Sequence, residues 1–149
     1  MRLLLPFDDE IADRYTQYGE NISPKVRFEE VPEDAETIAL LMENMNAPET
    51  RSVYWIIWNI PAAVEQAPEG LEIGEGPESF EEAMQGNNDF EIIGYEGPKR
   101  YPGEERFRFT AYALDTALGL EAGSRTEDLR EAMKGHVLDK AEEIRGYTS

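Results

Sequence analysis

Apolar and charged residues alternate between Pro24 and Pro32, where Val26 and Phe28 are flanked by Lys25, Arg27 and Glu29. Period-two alternation bounded by prolines predicts a half-buried strand. Residues 37–42 form a continuous apolar run stopped by Asn44 and Pro48, and residues 53–58 are β-branched and aromatic. The second composition suits a central strand covered on both faces. Segments 91–95 and 106–114 supply two further strands. In the latter, Phe107, Phe109, Ala111 and Ala113 share one face, and Arg106, Arg108, Thr110 and Tyr112 share the other. Segment 62–88 is rich in Glu, Gly and Pro and weakly periodic, which predicts a long loop with little regular structure. Toward the end, Ser124 followed by Glu127 fits a capping box. Leu129, Met133, His136 or Val137, Ala141 and Ile144 then recur at helical spacing, interrupted at Gly135. The expectation is one domain over residues 1–149, mainly β with a C-terminal helix.

Composition narrows the function classes. At 149 residues with 40% hydrophobic content, the chain can bury a core without disulfides or metal. Cysteine is absent, which removes disulfides, thiolate nucleophiles and Cys-based metal centres together. The opening run to Pro6 is too short for a signal peptide, and residues 53–60 run into Asn59 and Pro61, too short to span a bilayer. A cytoplasmic location is the expectation. Against 32 acidic residues stand only 14 basic ones, a net charge of −18. Such a field repels nucleic acid and anionic membrane, because both are bound through Lys and Arg. Lysine occurs only at Lys25, Lys99, Lys134 and Lys140. An acidic, lysine-poor surface suits concentrated salt, where screening shrinks the Debye length to about 3 Å. The expected result is a higher melting temperature in about 1 M KCl than in dilute buffer; unchanged melting contradicts a halophilic origin.

Catalytic motifs are few. His136 is the sole histidine, so a Ser-His-Asp triad or a histidine zinc site would need it. Its place on the apolar stripe reads as a packed, hydrogen-bonded histidine. Gly74-Glu75-Gly76 lacks the strand–helix context of a nucleotide loop, and carboxylate pairs such as Glu29-Glu30 and Glu81-Glu82 are expected by chance among so many acids. No cofactor and no metal site is expected. Positive signals lie where loops follow strands: Asn44-Met45-Asn46-Ala47-Pro48, Tyr54-Trp55, and Gly97-Pro98. Loops at one end of a sheet commonly gather into a pocket.

In order along the chain stand Gly19-Glu20-Asn21-Ile22-Ser23-Pro24, Val31-Pro32, Asn46-Ala47-Pro48 and Trp55-Ile56-Ile57-Trp58-Asn59-Ile60-Pro61. Gln85-Gly86-Asn87-Asn88-Asp89-Phe90, Gly94-Tyr95-Glu96-Gly97-Pro98, a long stretch from Arg106 to Asp115, and Gly135-His136-Val137-Leu138 come after them. This series resembles the phosphatidylethanolamine-binding protein family, in its small bacterial and archaeal branch, also called Raf kinase inhibitor-like proteins. The resemblance implies a central antiparallel sheet packed with a smaller one, helical segments near the C-terminus, and a pocket that in many relatives holds a phosphate-like anion. Family members bind phospholipid headgroups or nucleotides, inhibit proteases or regulate kinases.

The departures are specific. The family's Asp-Pro-Asp-Ala-Pro is Asn44-Met45-Asn46-Ala47-Pro48 here, and its His-Trp is Tyr54-Trp55. Its Gly-Pro-x-Pro-Pro-x-Gly-x-His loop is Gly97-Pro98-Lys99-Arg100-Tyr101-Pro102-Gly103-Glu104-Glu105. Both pocket histidines and both aspartates are replaced. By this resemblance, the ligand-binding residues expected are Asn44, Asn46, Tyr54, Trp55, Gly97, Pro98, Tyr101 and Glu105. A carboxylate near a bound phosphate is repulsive, so two readings stay open: a pocket preferring a neutral or cationic small molecule, or a vestigial pocket on a protein acting through its surface. The function expected is non-enzymatic binding of a small-molecule ligand or a protein partner. The alternatives are contact regulation of a protease or kinase, and a hydrolase pairing Glu105 with Glu43.

Overall fold

The computed structural model describes residues 1–99 and 104–148. Eight strands form two antiparallel sheets. β1 (Arg2–Leu4), β2 (Val26–Glu29) and β5 (Gln66–Ala67) make the smaller sheet, in the order β1-β2-β5. β3 (Thr37–Asn44), β4 (Val53–Pro61), β6 (Met84–Gln85), β7 (Glu104–Leu114) and β8 (Val137–Thr148) make the larger, in the order β6-β4-β3-β7-β8. The runs that read as strands 26–28, 37–42, 53–58 and 106–114 all lie in strands of this fold.

Burial explains the pattern. The large sheet is covered on both faces, so β3 and β4 are buried almost throughout. On one face Ile38, Leu40, Met42, Trp55, Ile57, Phe107 and Phe109 pack against Leu3, Val26 and Phe28 of the smaller sheet. On the other, Leu41, Ile56, Trp58 and Leu114 pack against Leu118, Leu129 and Met133. Full burial of a large apolar side chain is worth about 1.5–3 kcal/mol, so these two layers are the main source of stability.

Two irregularities interrupt β4. Met42 pairs with Trp55 and Glu43 with Val53, which leaves Tyr54 as an extra residue on β4. A second shift lies between Ile38 and Leu40, opposite Asn59, whose φ is +59°. A bulge reverses the alternation of side chains. Tyr54 and Trp55, although adjacent, therefore both join the layer facing the smaller sheet.

Three expectations are corrected. The C-terminal helix, α1, covers only Thr126–Met133, and the segment expected to continue it is strand β8. Gly135, at φ +81°, turns the chain out of the helix. The cap lies one residue later than Ser124: Arg125 N–H donates to the Asp128 carboxylate at 3.1 Å. His136 is not packed in the core. Its side chain is 44% exposed, with Nδ1 2.8 Å from Asp115 Oδ1. Segment 91–95 is not a ladder strand either; it makes a single bridge, Asn87 with Ile93. Segment 62–88 is mostly loop, carrying only short 3-10 turns and the two-residue strands β5 and β6.

Candidate functional site

The ends of β3, β4 and β7 meet at one place. Asn44, the last residue of β3, is 2% exposed and lies opposite Phe107 of β7. Its Oδ1 accepts the Asn46 N–H at 2.9 Å, closing a turn of the Asx type. Its Nδ2 donates to Glu105 Oε2 at 3.0 Å, and lies 3.5 Å from the Tyr54 hydroxyl. Asn46 Oδ1 in turn accepts the Arg106 N–H at 2.8 Å. Two amide side chains thus tie the end of β3 to the start of β7. Both amide oxygens are used on backbone donors, a task an aspartate could also perform. The Asn44 amide nitrogen is spent on Glu105, a task it could not.

These groups border a cavity of about 300 Å³ lined by Asn44, Asn46, Ala47, Pro48, Arg51, Phe90 and Glu105. Glu105 Oε1 is buried and has no hydrogen-bond partner among the described residues. Leaving such an acceptor unpaired costs about 1–3 kcal/mol. Tyr54 does not line the cavity; it is buried in the core behind Phe90, edge-on to that ring at 4.8 Å and to Phe107 at 5.2 Å.

The other expected residues are placed differently. Trp55 is fully buried behind the site, donating Nε1 to Gln85 Oε1 at 3.0 Å and standing edge-on to Tyr95. It is a core residue rather than a cavity wall. Gly97 and Pro98 are buried against residues 15–21: Gly97 N–H donates to Asn21 Oδ1 at 2.8 Å, and Gln17 N–H to the Pro98 carbonyl at 3.1 Å. Their link to the site is indirect, through the Glu96 N–H on the Tyr54 carbonyl at 3.0 Å. Tyr101 lies outside the described residues. Glu43 points elsewhere: its carboxylate meets Arg108 at 3.5 Å and Arg130 at 3.2 Å, so no carboxylate pair with Glu105 is assembled.

Two lining residues are not singled out by the sequence, Phe90 and Arg51. Phe90 is held by Asn88, which is fully buried. Asn88 Nδ2 donates to the carbonyls of Tyr54 (3.3 Å) and Gly94 (3.1 Å), while its Oδ1 accepts from Phe90 N (2.8 Å) and Ile92 N (3.2 Å). Asp89 continues the clamp, its Oδ2 accepting the N–H groups of Ser52 and Val53. The signal that could have found Phe90 is the Asn-Asn-Asp-Phe run itself, a cluster of backbone-bonding side chains beside an aromatic.

Behind the site, Tyr95 donates its hydroxyl to the Tyr15 carbonyl at 2.6 Å, and burial first, then the nearby Glu96 charge, pushes its ionisation far above the usual tyrosine range. Larger depressions exist, of about 670 Å³ beside β2 and β5 and about 450 Å³ between β1 and β8. In neither is an unpartnered buried side-chain atom found among the described residues. Among the described residues no group of three His, Asp or Glu side chains is placed to hold a metal ion, and no helix is long and apolar enough to cross a membrane.

The family model described as phosphatidylethanolamine-binding protein matches residues 6–147. The chain belongs to the phosphatidylethanolamine-binding protein family. A UPF0098 protein from Methanothermobacter thermautotrophicus is 40% identical over 141 residues, which is 92% of this chain and 89% of that protein. A UPF0098 protein of Chlamydia muridarum is 34% identical over 142 residues, covering 92% and 89%. The crystal structure of a protein named as a phosphatidylethanolamine-binding protein homologue from Chlamydia trachomatis superposes with a TM-score of 0.86 at 31% identity, covering 99% of this chain and 97% of that one. Escherichia coli YbcL has the same fold, with a TM-score of 0.83 at 21% identity and coverage of 99% and 98%.

Proposed function

We propose that this family member is a non-enzymatic binding module whose cavity takes a small ligand through a neutral or cationic hydrogen-bond donor, not through a bare anion. The supporting observation is the buried, unpartnered Glu105 Oε1 at the cavity wall. The resemblance puts an aspartate at 44 and a histidine at 105 in relatives. Here Asn44 donates and Glu105 accepts at 3.0 Å. The two replacements compensate, since an aspartate at 44 facing Glu105 would set like charges in hydrogen-bond range. That pairing argues for a retained cavity of altered preference rather than a decayed one. The apolar walls Ala47, Pro48 and Phe90 suit a short alkyl or aromatic body behind the donor group. A cytoplasmic, high-salt setting belongs to the same reading, supported by the net charge of −18.

The test titrates the protein with n-propylammonium and, separately, with inorganic phosphate, following amide shifts by NMR. Propylammonium should move the signals of residues around Asn44 and Phe90, while phosphate leaves them in place. Glu105→Gln keeps the shape and the Asn44 contact but removes the charge, and should weaken propylammonium binding about tenfold or more. Saturable phosphate binding at this cavity, tighter than that of the amine, would overturn the reading.

A further inference from the structure

β8 forms one edge of the large sheet, and most of that edge has no partner within the described residues. Among the described residues its outward backbone groups are bonded to another segment at Gly146, whose N–H donates to the Asp9 carbonyl at 2.8 Å and whose carbonyl accepts the Ile11 N–H at 2.9 Å, while the Arg145 side chain donates to the Phe7 carbonyl at 3.2 Å. Backbone groups of alternate residues in a strand point to the same edge. Residues 144, 142 and 140 therefore also present N–H and C=O outward, since pairing with β7 is regular down to Asp139. The Lys140 N–H takes the neighbouring Asp139 carboxylate at 2.8 Å, a local substitute for a strand partner. Exposed edges of this kind invite another strand.

We infer that this edge pairs with the same edge of a second copy of the chain, antiparallel about a two-fold axis at Ala141. Charge selects the register. With the axis at residue 140 two lysines face each other, and with it at 142 two glutamates do. Within each chain Lys140 Nζ already meets Glu142 Oε1 at 3.2 Å, and with the axis at 141 Lys140 also stands opposite Glu142 of the second copy, so the two pairs close into a ring of four alternating charges. The same register sets Leu138, 41% exposed, beside Ile144, 37% exposed, at both ends of the contact. The acids of the opposite face are already neutralised within each chain: Asp139 meets the N-terminal ammonium at 2.7 Å and Glu143 meets Arg145 at 3.0 Å. A short palindrome of apolar, basic, acidic and apolar positions thus makes the edge complementary to itself.

An edge contact this short lies below about 1,200 Å², so the association is weak and is measured by analytical ultracentrifugation at about 0.5 mM protein. Repulsion between two chains of net charge −18 is screened by salt, so runs are made in about 0.15 M and about 1 M KCl. The wild type should form dimers, more fully at the higher salt. Lys140→Glu alone, or Glu142→Lys alone, sets two like-charged pairs across the axis and should weaken dimerisation about tenfold or more. Mixing those two variants restores both complementary pairs, so the mixture should dimerise where neither component does. Glu142→Pro removes one outward N–H while leaving the bonds to β7, and should give a folded monomer. A wild type that stays monomeric in both salts, or dimers indifferent to all three substitutions, overturns the inference.

Discussion

Asn88→Asp should be destabilised by about 3–5 kcal/mol, a fall in melting temperature of roughly 10 °C or more at neutral pH. The substitution keeps the shape and the Oδ1 acceptor that holds Phe90 N and Ile92 N. It turns the Nδ2 donor, now bonded to the carbonyls of Tyr54 and Gly94, into an oxygen facing two oxygens. Asn88 is fully buried, so the new charge is cut off from water. Burial raises the folded-state pKa of the introduced carboxyl above its unfolded value of about 3.9. The folded chain then binds the proton more readily than the unfolded one, so the deficit opens as pH rises above about 4 and shrinks below it. Melting curves of both proteins across pH 4 to 8 check this; a gap under about 2 °C at pH 7 contradicts it.

Gly97→Ala should cost about 3 kcal/mol, for a steric reason rather than a conformational one. A methyl at 97 would run into the Tyr15 carbonyl oxygen and sit 2.5 Å from Asn21 Oδ1 and 2.9 Å from Thr16 Cα. Two of those three atoms are backbone, and the third is fixed because Asn21 bonds both Gly97 N–H and Glu96. Displacing the Tyr15 carbonyl also breaks its bond from the buried Tyr95 hydroxyl. Gly119→Ala is the control, since nothing lies within 4 Å of its added carbon. Urea unfolding should shift for the first and stay within about 0.5 kcal/mol of wild type for the second.

The strands legible in the sequence are those whose burial matches a simple pattern. β2 alternates because one face is covered, and β3 and β4 are continuous because both are. β8 reads as helix for a physical reason. Its residues, rich in Leu, Lys, Ala, Glu and Arg, favour helix locally. Its exposed face carries Leu138 and Ile144 while its inner face carries Asp139 and Glu143, so period-two alternation is inverted and Ala141 to Ile144 mimics a helical step. The long backbone of β7, with which β8 pairs from Glu104 to Leu114, overrides that preference. Segment 91–95 has strand-like composition, yet Asn88 takes the Phe90 and Ile92 N–H groups onto its own side chain. At the site, resemblance by position locates Asn44, Tyr54 and Glu105. It cannot show that Trp55 faces Gln85, because the bulge at Tyr54 is set by pairing with β3 and leaves no mark in the residues themselves.

That bulge has a consequence for how occupancy is felt. Phe90, on the cavity wall, rests edge-on against Tyr54, a residue of the sheet's own interior in ring contact with Phe107 and next in chain to a fully enclosed indole. A guest pressing on Phe90 would act through Tyr54 on the deeply buried centre of the sheet. Whatever free energy such a guest contributed would reinforce the sheet as a whole, because it would bind the folded chain and not the unfolded one.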